Sequence, residues 1–87
     1  MIAESHLWDA IVTGDYIADK TGTAWKVLAI SHRLGRPEMM TIANRQMQQA
    51  SIVVPHDAWA TVTKLVPTHE EAMAAVRAAF PEAEEIR

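Results

Sequence analysis

Hydrophobic and polar positions alternate in short runs through the first two thirds of the chain, and this pattern predicts β-strands. Five such runs are bounded by Gly, Pro, Asn or Asp residues. They cover residues 16–18, 23–31, 38–44, 48–54 and 59–66. Before them, residues 7–15 lead into a Gly-Asp turn signal and fit a short strand or a helical turn equally well. The runs therefore predict consecutive antiparallel strands.

The connections between these runs carry recognisable turn signals. Residues 19–22 read Asp-Lys-Thr-Gly, and Gly22 can adopt a positive φ, so we expect a hairpin there. Residues 32–37 contain Gly35 and Pro37, which interrupt regular structure, and they predict an exposed loop. A further reversal is expected at residues 45–47.

After Pro67 the hydrophobic period changes from that of a strand to that of a helix. Thr68 and Glu71 form the Ser/Thr-x-x-Glu pattern of a capping box, so Thr68 is predicted to cap a helix. Its apolar positions share one face; they are Ala72, Met73, Val76, Ala79 and Phe80. This amphipathic face is expected to pack onto the sheet. Pro81 ends the helix and leaves residues 82–87 as a frayed acidic tail or a short second turn.

Together these elements predict one domain over residues 1–87, mainly β with a C-terminal α-helix. Closing a sheet of short strands removes its exposed edges, which favours a small barrel. We expect a five-strand antiparallel SH3-like barrel at about 8–67, capped by one amphipathic helix at about 68–80. An acidic tail at 81–87 would complete this α+β fold.

Charge and composition restrict the environment and the partners. The net charge of −3 is uneven, because residues 1–19 carry −4, residues 20–64 carry +4 and residues 65–87 carry −3. The chain contains no cysteine, which suits a reducing compartment. It has neither a basic leader with an apolar run nor an apolar stretch of about 18 residues. A cytoplasmic protein without a membrane partner is therefore expected.

The candidate chemistry is sparse. None of the four histidines stands three or four residues from another, as zinc-binding pairs on a helix do. Residues 19–23 contain one glycine and lack the spacing of a phosphate-binding loop. The sequence therefore predicts a protein that is not an enzyme, and it assigns no catalytic residue, metal ligand or cofactor.

One segment resembles a known group of proteins. Residues 13–28 read Thr-Gly-Asp-Tyr-Ile-Ala-Asp-Lys-Thr-Gly-Thr-Ala-Trp-Lys-Val-Leu. This run resembles the opening of small proteins of unassigned role in actinobacterial phages, and the wider pattern extends over about residues 8–67. The resemblance implies an SH3-like barrel made in a bacterial host, and it implies no functional residues.

The leading functional hypothesis is an interaction module, a phage accessory protein that binds a host or phage protein. Loops carry binding, and Arg and Trp dominate interface energetics. The predicted partner-binding residues are accordingly His32, Arg33, Arg36, Arg45 and Trp59. One alternative is a nucleic-acid-binding barrel that uses Lys26 with the same three arginines. Another is a structural component that self-assembles through its edge strands.

Overall fold

The computed structural model describes residues 1–80, so the predicted acidic tail at 81–87 lies outside the described residues. The described chain forms six strands, one 3-10 turn and one helix. The strands are β1 Ile2–Leu7, β2 Tyr16–Ala18, β3 Ala24–Arg33, β4 Arg36–Ala43, β5 Gln49–Val53 and β6 Thr61–Val66. The 3-10 turn is Trp8–Ala10, and the helix, α1, is His69–Ala79. The chain is thus mainly β with one C-terminal helix, as predicted.

The strands form one antiparallel sheet in the order β1-β6-β2-β3-β4-β5. The prediction of five strands is wrong because β1 exists and pairs with β6, from Ile2 opposite Val66 to Leu7 opposite Thr61. Its partner lies about sixty residues away, and local pattern does not reveal such a pairing. Barrel closure is not seen either, since β1 and β5 are the two edges and do not pair within the described residues.

The β3–β4 connection is tighter than the exposed loop predicted at residues 32–37. Arg33 and Arg36 pair directly across it, which leaves only Leu34 and Gly35 in the turn. Both have positive φ, 52° and 77°, as a type I′ hairpin turn requires. Pro37 lies near the start of β4 opposite His32, where the β3–β4 register shifts between Ser31 and His32, and strands tolerate proline at such irregularities.

The core lies on one face of the sheet. Residues that are directly opposite on antiparallel strands share a face, and Val27 opposite Ile42 and Met40 opposite Ile52 define the core face. The buried cluster consists of Ile11, Ile17, Val27, Met40, Ile42 and Val54. Ile11 comes from the loop after the 3-10 turn, and Trp8 packs beside the cluster. The first fifteen residues therefore contribute both an edge strand and side chains that pack over the core face.

The helix begins as predicted but does not cap the sheet. Thr68 Oγ1 accepts a hydrogen bond from the Glu71 N–H at 3.2 Å, which confirms the cap. No residue of α1 is buried, and Phe80, just beyond it, is 62% exposed. The predicted packing is therefore wrong. Two of the five residues on its apolar face are alanines, which offer little area to bury, while Trp8 and Ile11 already cover part of the core.

Candidate partner-binding surface

The tip of the β3–β4 hairpin presents an unusual leucine. Leu34 is 96% exposed and adopts a φ of 52°. In this left-handed region the Cβ of an L-residue crowds the following carbonyl, at a cost of about 1–2 kcal/mol. Asn or Gly is the usual residue at this position of a type I′ turn. Leu34 thus carries a conformational cost and gains no burial within the described chain.

A groove of about 270 Å³ lies beside this tip. Its lining residues are Arg33, Leu34, Arg36, Pro37, Glu38, Val54, Pro55 and His56. The hairpin forms one wall, and the segment after β5 forms the other. Trp59 follows on that same segment and is 78% exposed, and its backbone N–H donates to Asp57 Oδ1 at 2.9 Å. Arg33, Leu34, His56 and Trp59 together are called the tip surface below.

Arg36 holds the two walls of the groove together. Its Nε and one terminal nitrogen donate to the two carboxylate oxygens of Asp9, each at 2.9 Å. The other terminal nitrogen donates to the His56 carbonyl at 2.9 Å. The hydrogen bonds with Arg36 lower the pKa of Asp9, and those with Asp9 raise the pKa of Arg36. Arg36, predicted as a partner-binding residue, is therefore engaged within the fold.

The remaining charges around the groove are mixed. Arg33 is 73% exposed on its side chain, and its guanidinium lies 3.7 Å from Glu38 Oε1. Asp9 and Asp57 add negative charge on the same side of the molecule, since Asp9 is bonded to Arg36 and the charge of Asp57 also helps to raise the pKa of Arg36. His32 is exposed on β3 opposite Pro37 and does not line the groove. This end of the molecule is thus not a uniformly basic patch.

The structure separates Arg45 from the other predicted residues. Arg45 lies in the turn between β4 and β5, at the far end of β4 from Arg36. With about 3.3 Å per strand residue, this spacing corresponds to roughly 25–30 Å. Arg45 instead lines a cavity with Lys26. The predicted set is therefore divided, with Arg33 and Arg36 at the groove beside the hairpin tip and Arg45 at the other end of β4. Trp59 lies on the segment that follows β5.

Leu34 is the surface residue that sequence reasoning missed. The signal was present, because a residue followed by Gly between two strand-like runs is typical of a two-residue hairpin. The neighbouring Pro37 instead favoured an irregular loop. With the hairpin recognised, the exposure of the residue before Gly35 would have followed from its place at the tip.

A second groove, of about 420 Å³, follows the core face of the sheet. Trp8, Trp25, Ile52 and Val62 are among its mainly apolar lining residues, and it is called the inner groove below. Trp25 Nε1 donates to Asp19 Oδ2 at 2.9 Å at its rim. This groove is the part of the core face that the 3-10 turn and its following loop leave open.

Metal sites, membrane-spanning helices and similar proteins were each sought. Within residues 1–80, no group of three or more His, Asp or Glu side chains is placed to hold a metal ion. No helix in this part of the chain is long and apolar enough to cross a membrane. No protein-family model, curated protein or solved structure matches the chain.

Proposed function

We propose that the protein is a non-enzymatic interaction module that binds a protein partner through the tip surface. The observation that carries this proposal is Leu34, exposed at 96% in a conformation that disfavours leucine. The resemblance of residues 13–28 to phage proteins extends the proposal to a phage accessory protein acting in the bacterial cytoplasm. Its partner would be a host or phage protein.

Leu34 supports binding because the isolated fold gives no reason for a leucine there. Strained residues that gain no internal contact are concentrated at binding and catalytic sites. Trp59 adds a large aromatic side chain at 78% exposure, and tryptophan is enriched among residues that dominate binding energy. Leu34 at the groove and Trp59 on the segment that forms its second wall would supply the apolar centre of an interface with a polar rim.

The mixed charges of this surface favour a protein over a nucleic acid. Binding to a phosphate backbone depends on several uncompensated cations that release counterions. Here Arg36 is paired with Asp9, and Arg33 lies near Glu38. A protein surface that presents apolar groups with both signs of charge matches this groove better.

The decisive experiment replaces Leu34 by Asn. This change suits the type I′ turn, so we expect the free energy of unfolding to rise by about 1 kcal/mol. Capture of the partner from a nuclease-treated bacterial lysate, followed by titration with the purified partner, should show about tenfold or greater loss of affinity. Trp59→Ala should act in the same direction.

Val76→Ser is the matched control, because it removes an exposed apolar side chain from α1 instead. It should leave affinity unchanged. A Leu34→Asn protein that is more stable and binds its partner as tightly as the parent would contradict the proposed surface. Since this variant is expected to gain stability, lost binding could not be attributed to unfolding.

Self-assembly is a second candidate, favoured by the edge strand β5. Its sequence, Gln-Ala-Ser-Ile-Val, has no charge, and charged residues are a common means by which edge strands avoid pairing. Sedimentation over a wide concentration range would then show a dimer that Val53→Lys abolishes. A single monomeric species throughout would count against this candidate.

A further inference from the structure

The outer face of the sheet carries a cavity of about 400 Å³ that is separate from the tip surface. Tyr16, Lys26, Leu28, Arg45 and Met47 are among its lining residues, and it is called the outer pocket below. Its other lining residues are Met1, Ala24, Ala43 and Asn44. The Met1 ammonium is paired with Glu71. The pocket thus combines two side-chain cations with a largely apolar wall.

Sheet register places these residues on the face opposite the core. Tyr16 lies opposite Lys26, and Lys26 lies opposite Ala43, so the three form a row across β2, β3 and β4. Their sequence neighbours Ile17 and Val27 point to the core face. Because side chains alternate along a strand, the row with Lys26 points the other way.

The turn that carries Arg45 is held by hydrogen bonds. Asn44 Oδ1 accepts from the backbone N–H groups of Gln46 and Gln48, each at 3.0 Å. The N–H of Met47 donates to the Asn44 carbonyl at 3.0 Å, and Met47 adopts a φ of 64°. The backbone beneath Arg45 and Met47 is therefore fixed beside the row that contains Lys26.

The two side-chain cations of this pocket, Lys26 and Arg45, have no ion-pair partner within residues 1–80. The Met1 ammonium, also at the pocket, is in contrast paired with the Glu71 carboxylate. The arginines at the hairpin tip likewise lie beside Asp9 and Glu38. In a chain of net charge −3, two unpaired cations facing one cavity form a local positive site.

We propose that the outer pocket binds an acidic segment of a protein, in which an apolar side chain is flanked by carboxylates. The carboxylates would pair with Lys26 and Arg45, and the apolar side chain would lie against Leu28 and Met47. A nucleic acid fits less well, because its affinity grows with the number of phosphates neutralised and this pocket supplies two cations. This inference goes beyond the tip surface and does not rest on it.

The test titrates the full chain with a short blocked peptide in which one Leu is flanked by Glu residues on both sides. Fluorescence anisotropy measures affinity, and amide shifts in NMR locate the site. Lys26→Gln and Arg45→Gln should each weaken binding by about two- to fivefold, as expected for exposed ion pairs. The double variant should weaken it by about tenfold, and Met47→Asn, which keeps a residue tolerant of positive φ, should weaken it further.

Lys20→Gln is the matched control, since it removes an exposed lysine that lies on the β2–β3 turn, outside the pocket. It should leave affinity unchanged, as should Leu34→Asn, so that failure of this inference is distinct from failure of the tip surface. Equal binding of the double variant, or of a peptide with Gln in place of Glu, would overturn the proposal. Absence of peptide binding, with an oligonucleotide bound in a Lys26- and Arg45-dependent manner, would overturn it in favour of nucleic acid.

Discussion

Asp19 holds the β2–β3 turn together through both of its carboxylate oxygens. Oδ1 accepts from the N–H and hydroxyl of Thr21, at 2.9 and 2.7 Å, and from the Thr23 N–H at 3.0 Å. Oδ2 accepts from Trp25 Nε1 at 2.9 Å. The hydrogen bonds from Thr21, and then that from Trp25, lower the pKa of Asp19 from its usual 3.8 to about 2. The ionised form is thus favoured in the folded state.

This pKa shift predicts a pH-dependent contribution to stability. A carboxyl group whose pKa is lowered by folding stabilises the fold fully above its unfolded pKa, and loses that contribution as pH falls through the folded pKa. Asp19→Asn should therefore be less stable than the parent above about pH 4, and the difference should narrow between pH 3.8 and about 2. Urea unfolding of both proteins at a series of pH values measures this difference in the free energy of unfolding.

Glu70→Gln, which changes an exposed carboxylate in α1, is the control for a general effect of charge. The stability difference between Glu70→Gln and the parent should not narrow in the same way as the pH falls. A deficit of Asp19→Asn that is the same at pH 2 and pH 6 would show that the turn does not depend on the ionised carboxylate.

Arg36 offers a second test at the residue scale, because its fork geometry is specific. A lysine cannot bond both oxygens of Asp9 and the His56 carbonyl at once. Arg36→Lys and Asp9→Asn should each lower the unfolding midpoint by several degrees, and the double variant should lose less than the sum of the two. Additive losses in such a double-mutant cycle would mean that the pair does not stabilise the fold.

The structural role of Arg36 also shows what sequence reasoning cannot supply. Arg36 and Trp59 were predicted to share a binding surface; Arg36 lines the groove beside the hairpin tip, and Trp59 lies three residues beyond His56, which lines the same groove. The partner of Arg36 is Asp9, twenty-seven residues earlier, and no local pattern links them. Arg45 was grouped with Arg36 on charge alone, but the length of β4 separates them.

At the scale of elements, those defined by local signals were predicted well. The β2–β3 hairpin follows from its Asp-to-Gly turn, and α1 follows from the Thr68 cap and the 3.6-residue period. The strand β1 was missed because Ile2–Leu7 mixes charged, polar and apolar residues without clear alternation. Its existence depends on a long-range partner, β6, which its own sequence does not specify.

The exposed helix gives a test at this scale. Without packing on the sheet, an eleven-residue helix depends on its cap, on intrinsic propensity and on the ion pair of Glu71 with the Met1 ammonium, which makes it marginal in water. Thr68→Ala removes the hydroxyl that accepts from the Glu71 N–H. We expect a lower helical signal in far-UV circular dichroism and an unchanged unfolding midpoint by tryptophan fluorescence, since all three tryptophans lie outside α1.

Glu70→Gln, in the same first turn, should affect the helical signal less than loss of the cap does. If Thr68→Ala lowered the fluorescence midpoint together with helicity, α1 would be energetically coupled to the sheet. That outcome would contradict the exposure of its apolar face.

At the scale of the whole molecule, the chain is more extended than a compact domain of its length. Its radius of gyration is 15.0 Å, whereas about 12 Å is expected for 87 residues. The sheet ends in two unpaired edges and leaves the inner groove open, and α1 adds length without burial. The barrel predicted from strand number and length required β1 and β5 to meet, and this depends on sheet curvature, which short-range patterns do not encode.

Such an arrangement concentrates stability in few residues. Met40 is 1% exposed in the centre of the core face, so Met40→Ala should lower the free energy of unfolding by about 2–5 kcal/mol. Val76→Ser, on the exposed face of α1, should change it by less than about 0.5 kcal/mol. Urea denaturation followed by tryptophan fluorescence measures both. Similar losses of unfolding free energy in the two variants would imply that α1 packs against the core in solution. A much larger loss for Met40→Ala would show that the core face of the open sheet provides most of the stability.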